Sequence, residues 1–198
     1  MECAMYAGVQ NTPQSSRRGG EFLIRMHAVL KAKVMNRFEH IRHKPPTVPH
    51  LPRELLIVLA PMRSNVNLSR IVRLAGCAGI PKIIQCGPGK VDREIARDAI
   101  DAVEIVQRRS LAPVLEKLKE DGYSRVGLEQ TSNSNCLYDF TFEHRTALVI
   151  GAEREGLTQE ELDRLDHVVE IPVYGRPLSF NVATATTMAV YEYCKQFR

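Results

Sequence analysis

The 198-residue sequence lacks the features that define several common classes of protein. No uninterrupted apolar run approaches the roughly 20 residues that a transmembrane helix needs, so we expect no membrane-spanning helix. Residues 1–20 have no basic start followed by an apolar stretch, so we expect no secretory signal there. The five cysteines are scattered and never spaced as C-x-x-C. This argues against a disulfide framework or a zinc ribbon and favours the cytoplasm as the compartment.

Several enzyme signatures are absent as well. There is no G-x-S-x-G elbow and no G-x-G-x-x-G turn, which argues against a serine hydrolase and a nucleotide-binding oxidoreductase. Residues 86–90 resemble the end of a phosphate-binding loop, but Ile84 replaces the earlier glycine and Val91 replaces Ser/Thr. His40 and His43 are spaced as metal ligands can be, but no further Cys or His completes a set, so we expect no metal.

Positive charge is concentrated towards the N-terminus. Residues 1–53 contain nine Lys/Arg and three Asp/Glu, whereas residues 54–198 contain eighteen and twenty. A basic arm on a near-neutral body is typical of proteins with a polyanionic partner. The same charges also suit the solvated face of a helix, and the pattern alone leaves both interpretations open.

The sequence divides into three segments. Residues 1–20 are rich in Ser, Gly, Gln and Asn, which predicts a mobile tail. Over residues 21–43, apolar residues recur at close to helical spacing with basic residues between them, which predicts an amphipathic helix. The prolines of residues 44–52 end that helix. We therefore expect a basic helical extension with its linker over 21–53 and the main domain over 54–198.

The main domain alternates short apolar runs with helical segments. The runs are rich in Val, Ile and Leu at consecutive positions, as in strands that are buried on both faces of a parallel sheet. Strands are predicted at 55–60, 82–87, 125–130, 147–151 and 167–172, with a weaker one at 103–108. Helices are predicted at 67–78, 91–101, 110–121, 158–166 and 182–196. The sequence therefore predicts an α/β fold with a mostly parallel sheet flanked by helices.

Three stretches at strand-to-helix junctions, where open α/β sheets bind ligands, carry polar residues. They are residues 64–76, 148–157 and 170–193. In the first, backbone N–H groups at the helix start together with Arg70 and Arg73 could bind a phosphate. The second places Glu153 in a glycine-flanked loop, and the third leads to Asn181 at a helix start. Taken singly, each stretch also fits ordinary capping, a solvated turn or core packing.

In order and spacing, the three stretches resemble the motifs of the SpoU, or TrmH-like, branch of the SPOUT RNA methyltransferases. The motifs read N-x5-R, G-x-E-x-x-G and I-P-x-x-G-x-x-x-S-x-N, and the matching residues are Asn67, Arg73, Gly151, Glu153, Gly156, Ile171, Pro172, Gly175, Ser179 and Asn181. The resemblance extends from Leu55 to the C-terminus. Two departures bear on the choice of substrate: Ala152, where tRNA-modifying relatives often carry Asn, and Phe180, where Leu is usual.

The resemblance implies a sheet whose C-terminal segment forms a trefoil knot, a homodimer and S-adenosylmethionine as the cofactor. It implies methylation of a ribose 2′-hydroxyl in tRNA or rRNA, without a metal. The catalytic and positioning residues that it implies are Arg73, Asn67, Glu153, Ser179 and Asn181. The cofactor site that it implies is lined by Thr131, Gly151, Ile171, Leu178 and Phe180.

The resemblance makes Arg73 the key residue of the reaction. A guanidinium normally stays protonated, so we expect Arg73 to hold the neighbouring phosphate and stabilise the developing alkoxide. The alternative is a non-catalytic RNA-binding protein on the same fold. The presence of all five polar motif residues weighs against that alternative.

Overall fold

The computed structural model describes residues 38–42 and 44–198, and the chain divides into two units between Thr47 and Val48. The predicted tail and most of the predicted helical extension lie outside the described residues. Residues 38–42 and 44–53 contain neither helix nor strand. The predicted helix is therefore wrong at its C-terminal end, over 38–42.

The second unit is built on seven strands. Their bounds are Leu55–Leu59 (β1), Lys82–Cys86 (β2), Glu104–Arg108 (β3), Ser124–Leu128 (β4), Asn135–Cys136 (β5), Thr146–Ile150 (β6) and His167–Glu170 (β7). They form one sheet in the order β3-β2-β1-β6-β4-β7-β5, and every neighbouring pair is parallel. The prediction of a mostly parallel sheet is confirmed.

Helices cover both faces of this sheet. Their bounds are Asn65–Ala78 (α1), Arg93–Ala96 (α2), Ala99–Ala102 (α3), Ala112–Glu120 (α4), Gln159–Leu162 (α5) and Val182–Gln196 (α6). Apolar residues of α1 and α6 pack with Leu55, Ile57 and Leu59 on one face. Those of α4 pack with Leu56 and Val58 on the other. All of β1 is therefore buried, as the consecutive apolar run predicts.

Three elements differ from the prediction. The helix expected at 91–101 is two short helices, α2 and α3, because Arg97 adopts a backbone φ of 56° that no α-helix accommodates. The helix expected at 158–166 ends at Leu162. Strand β5 was not expected, since two residues carry no periodicity. No helix in the described part of the chain is long and apolar enough to cross a membrane.

The parallel arrangement gathers the three polar stretches. The carboxyl ends of all strands lie at one edge of the sheet, which we call the carboxyl edge. The stretches that follow β1, β6 and β7 therefore meet there, although up to 114 residues separate them in sequence.

Candidate active site

The loop after β6 places Glu153 against the start of α1. Its carboxylate accepts hydrogen bonds from the backbone N–H groups of Arg63 (3.0 Å) and Ser64 (2.9 Å). It also accepts one from the side-chain amide of Asn67 (3.3 Å). The Glu153 carboxylate therefore binds the N–H groups of the two residues that precede α1, and the phosphate site predicted at the first turn of α1 stays a prediction.

These contacts change the acidity of Glu153. Burial by itself would raise its pKa, but the hydrogen bonds from Arg63, Ser64 and Asn67 outweigh burial and hold the pKa below its usual range. The carboxylate is thus ionised at neutral pH and has little tendency to take up a proton. The geometry suits a residue that positions its neighbours.

Asn67 links this contact to the third motif. Its side-chain oxygen accepts a hydrogen bond from the side-chain amide of Asn181 at 3.1 Å. The Asn181 oxygen in turn caps α6 by accepting from the backbone N–H groups of Ala183 and Thr184. One hydrogen-bonded chain therefore runs from Glu153 through Asn67 to Asn181, and joins one residue of each motif.

The second motif depends on a close approach of two backbone segments. Ala152 and Gly156 exchange two backbone hydrogen bonds, at 3.1 and 2.9 Å, which fold the loop back on itself. A Cβ atom on Gly151 would lie 2.5 Å from the Gly156 carbonyl carbon, so only glycine fits at 151. Gly156 has a backbone φ of 64°, and the Glu129 carboxylate packs against it. The same carboxylate accepts a hydrogen bond from the backbone N–H of Leu157 at 3.1 Å.

A cleft of about 280 Å³ opens beside this chain, where β4, β6 and β7 end. Among the residues expected to bind a cofactor, Gly151, Ile171 and Phe180 line it. Thr131 and Leu178 do not. The backbone N–H of Thr131 donates a hydrogen bond to the Ser134 hydroxyl at 3.3 Å, and Leu178 is 69% exposed.

Two carboxylates in the cleft were missed by the sequence analysis. Glu129 directly follows β4, and Glu170 ends β7 and accepts a hydrogen bond from the Ser134 hydroxyl at 2.8 Å. Their signal was available, because each lies at the carboxyl end of a predicted strand. With Glu153, they give the cleft three carboxylates and one guanidinium, that of Arg154.

The remaining two predicted residues lie apart from the hydrogen-bonded chain. Ser179 lines the cleft and is exposed. Arg73 is exposed on α1, does not line the cleft, and forms no hydrogen bond or ion pair with the described residues. The structure thus brings Asn67, Glu153 and Asn181 together and leaves Arg73 outside their contact.

Other chemistry has little support in the described residues. No group of three His, Cys, Asp or Glu side chains there is arranged to hold a metal ion. Cys77, Cys86, Cys136 and Cys194 are free thiols. Burial raises the pKa of Cys86 to about 11, which keeps it protonated and unreactive.

The fold and the cleft define an α/β protein with a ligand site at the carboxyl edge of a parallel sheet. Residues 54–191 match the family described as the SpoU rRNA Methylase family, and the chain belongs to it.

The named relatives of the chain are RNA 2′-O-methyltransferases. The chain is 28% identical over 148 residues to the mouse tRNA (guanosine(18)-2′-O)-methyltransferase TARBP1, covering 72% of this chain and 9% of that protein. It is 25% identical over 146 residues to the Escherichia coli K12 tRNA (guanosine(18)-2′-O)-methyltransferase, covering 72% and 64%. It is 27% identical over 157 residues to the 23S rRNA (guanosine-2′-O-)-methyltransferase RlmB of the same strain, covering 77% and 64%. The chain therefore spans less than two thirds of each of these relatives.

Solved structures share the fold. The A. aeolicus TrmH/SpoU tRNA modifying enzyme superimposes with a TM-score of 0.70 at 24% identity, over 75% of this chain and 77% of that one. The SpoU methyltransferase AviRb from Streptomyces viridochromogenes, in complex with the cofactor AdoMet, gives 0.65 at 26% identity, over 75% and 62%.

Proposed function

We propose that the chain is an S-adenosylmethionine-dependent methyltransferase that modifies a ribose 2′-hydroxyl of tRNA or rRNA. The hydrogen-bonded chain from Glu153 through Asn67 to Asn181 carries the proposal, because it assembles the three motifs beside a cleft of small-molecule size. The names of the relatives support the reaction, and their guanosine specificity makes guanosine the first nucleoside to test.

The cleft suits the cofactor. Its volume of about 280 Å³ is near the lower end of the range for small-molecule sites, and the glycine loop exposes backbone groups for close contact. When bound, S-adenosylmethionine supplies a methyl group activated by a sulfonium cation. The carboxylates of Glu129 and Glu170 favour such a positively charged ligand in this cleft.

The motif residues then have separate tasks. In the reaction the ribose oxygen would exchange its proton, which is released to water, for the methyl group, and the demethylated cofactor would leave as a neutral thioether. Glu153 and Asn181 fix the Asn67 amide from both sides, which holds the edge of the cleft rigid. We assign Ser179, which is exposed at the cleft, to a hydrogen bond with the incoming nucleotide. Arg73 remains charged, and we assign it to a substrate phosphate and to the negative charge that develops on the oxygen.

We further propose a homodimer and a knotted C-terminal segment. The position of Arg73 outside the cleft of its own chain supports the dimer, because a second copy could supply this guanidinium. The exposed residues Thr184, Thr187 and Tyr191 share one face of α6 and offer a surface for such pairing. The knot is proposed from the shared family and fold. We assign the protein to the cytoplasm, and its basic segment 21–53 to RNA binding, from the cysteine and charge patterns.

Comparison of cells with and without the gene tests the proposal. Mass mapping of ribose methylation across tRNA and rRNA should reveal a site that is methylated only when the gene is present. Retention of every 2′-O-methyl group in its absence would contradict the proposal. Binding of RNA by the purified protein without any methyl transfer would favour the non-catalytic alternative.

A further inference from the structure

The carboxyl edge of the sheet is divided by charge. Three segments begin at the last residue of β6, β4 and β7, and they contain four Glu and two Arg: residues 150–158, 128–134 and 170–181. Three others begin at the last residue of β1, β2 and β3, and they contain four Lys/Arg and one Asp: residues 59–64, 86–92 and 108–111. One of these cations, Arg63, pairs with Glu155 of the acidic half. Since the strand order is β3-β2-β1-β6-β4-β7, the acidic half holds the cleft and the basic half lies beside it.

The basic half leads into a second, larger recess. A groove of about 570 Å³ lies between α4 and the faces of β2 and β3, on the opposite side of the sheet from α1. Ile84 and Val106 contribute to the apolar floor of the groove. Arg108 and Arg109 lie where the groove reaches the carboxyl edge. No helix of residues 44–198 covers this part of the sheet, which leaves apolar side chains accessible between cations.

The cations of the groove differ in how they are paired. Lys82 pairs with Glu104 and Lys117 with Asp121, so their charges are partly neutralised. In contrast, three arginines of the groove have no carboxylate partner among the described residues: Arg108, Arg109 and Arg145. The groove therefore retains positive charge that a polyanion can neutralise.

An aromatic ring lies in the same groove. The Arg145 guanidinium stacks over the half-buried Tyr123 ring, 4.6 Å from its centroid. Guanidinium planes and aromatic rings are surfaces on which unpaired bases stack, and apolar floors with cationic rims are typical of sites for single-stranded nucleic acid.

We propose that this groove binds a single-stranded segment of the substrate RNA that flanks the nucleotide at the cleft. The inference rests on the proposed function. Neighbouring strands are about 4.8 Å apart, so the three steps from β6 to β3 span roughly 15 Å along the carboxyl edge. The RNA must also turn over that edge, because the cleft borders α6 on one face of the sheet and the groove borders α4 on the other. From Arg108 and Arg109 the groove continues to Tyr123 and Arg145, which directly precede β4 and β6. Lys90, in the loop after β2, lies along that path, and its backbone N–H is anchored by the Asn65 side chain at 3.0 Å. Arg108 and Arg109 contact phosphates, and the groove accepts a base.

The double substitution Arg108→Gln with Arg109→Gln tests the proposal, with Lys119→Gln as the matched control. Lys119 is exposed on α4 but does not line the groove. Binding of a labelled 12-nucleotide oligouridylate is measured against salt concentration for each full-length variant. Each lost phosphate contact on single-stranded RNA should reduce the log–log slope by about 0.7, so the double variant should lose about 1.4. The control should match the wild type.

Three further readouts separate the alternatives. Binding of S-adenosylmethionine and the melting temperature should not change in the double variant, since neither arginine lines the cleft. Equal salt slopes for the double variant, the control and the wild type would overturn the groove assignment. Competition by polyglutamate as effective as that by oligouridylate would identify an acidic protein as the occupant instead. Absence of methyl transfer to unfractionated tRNA and rRNA by the wild type would contradict the proposed function and not the groove.

Discussion

The side-chain amide of Asn181 donates a hydrogen bond to the side-chain oxygen of Asn67 at 3.1 Å, across 114 residues of sequence. Asn67 is buried in the first turn of α1, and Asn181 is the N-cap of α6. The contact therefore fixes the starts of two helices against each other at the carboxyl edge. Through Asn67 it also reaches the loop that carries Glu153.

Replacing Asn181 by alanine should separate this positioning role from simple helix capping. The loss of the cap should cost about 1 kcal/mol of the free energy of unfolding. Methyl transfer should fall further than this loss explains, because Asn67 loses one of its two fixed contacts. Thr158→Ala is the control, since Thr158 caps α5 and does not line the cleft. Equal activity of the two variants, measured by methyl incorporation at a temperature where both are folded, would contradict the role.

Two motif glycines should respond differently to alanine. Gly151→Ala would place a methyl group 2.5 Å from backbone of Gly156, which cannot move aside as a flexible side chain could. Overpacking of this kind costs about 1–3 kcal/mol, so the melting temperature and cofactor affinity should both fall. At Gly175 a Cβ meets nothing within 4 Å, so Gly175→Ala should unfold at the wild-type temperature. Calorimetric melting of both variants checks this, and equal melting temperatures would contradict the close contact between Gly151 and Gly156.

Glu170→Gln should reduce the preference of the cleft for the positively charged cofactor over its demethylated product. The cofactor carries a sulfonium charge that its demethylated product lacks, and the Glu170 carboxylate lines the cleft. Glutamine can still accept the Ser134 hydrogen bond. The ratio of the product's Kd to that of the cofactor should therefore fall by about three- to tenfold, as expected for on the order of 1 kcal/mol of lost attraction. Calorimetric titration with both ligands measures the ratio. Glu143→Gln, an exposed change outside the cleft, should leave the ratio at its wild-type value.

The ion pair of Arg125 with Asp166 should matter for stability. Arg125 is buried and makes two side-chain hydrogen bonds to Asp166, at 2.9 and 2.7 Å. Asp166→Asn should cost on the order of 2 kcal/mol of the free energy of unfolding, less than for a fully buried pair because Asp166 is 39% exposed. The pair of Arg93 and Asp101 provides the control, because it is also bidentate but exposed. Asp101→Asn should lower the free energy of unfolding much less.

The stability difference should also depend on pH. Hydrogen bonds from Arg125 are the main reason that the pKa of Asp166 lies below its usual range. A carboxylate with a depressed folded-state pKa stabilises the protein above its unfolded-state pKa, and this stabilisation is lost as pH falls through the folded-state value. The difference between wild type and Asp166→Asn should thus be constant above about pH 5 and shrink below about pH 4. Urea unfolding across this range checks the trend, and a difference that grows in acid would contradict it.

The sequence alone predicted the parts of the fold that local patterns control. Five consecutive apolar residues predict that β1 is buried on both faces, and the prolines after residue 44 mark the linker. The break at Arg97 left no such pattern, because its residues fit a helical sequence and only the backbone conformation interrupts it. The two-residue strand β5 depends on pairing with β7, which is a tertiary contact.

In the site, too, the sequence predicted individual residues, whereas the contacts between them depend on the fold. Glu153, Asn67 and Asn181 were identified by motif spacing, but their mutual hydrogen bonds join residues 86 and 114 positions apart and depend on the sheet order. Glu129 was not identified although it lies at the carboxyl end of a predicted strand, and its contact with Leu157 across 28 residues depends on the folded loop. Thr131 and Leu178 were assigned to the cofactor from the family resemblance, and in the structure neither of them lines the cleft.

Arg73→Ala should affect the reaction and spare the fold. Arg73 is exposed on α1 and bonds none of the described residues, and alanine is the better helix former. The melting temperature and the cofactor affinity should stay within error of the wild type. Methyl transfer should fall on the order of 100-fold or more, as when one donor to a developing negative charge is removed. Single-turnover transfer rates at saturating cofactor measure the loss, and an unchanged rate would remove Arg73 from the site.

The reaction itself can be measured as methyl transfer by the purified full-length chain. Unfractionated tRNA and rRNA are incubated with S-adenosylmethionine that carries a labelled methyl group, and the RNA is then digested to nucleosides. We expect label in a 2′-O-methylated nucleoside and its loss in the Asn67→Ala, Asn181→Ala double variant. Label on a base, or no label in either RNA pool, would contradict it.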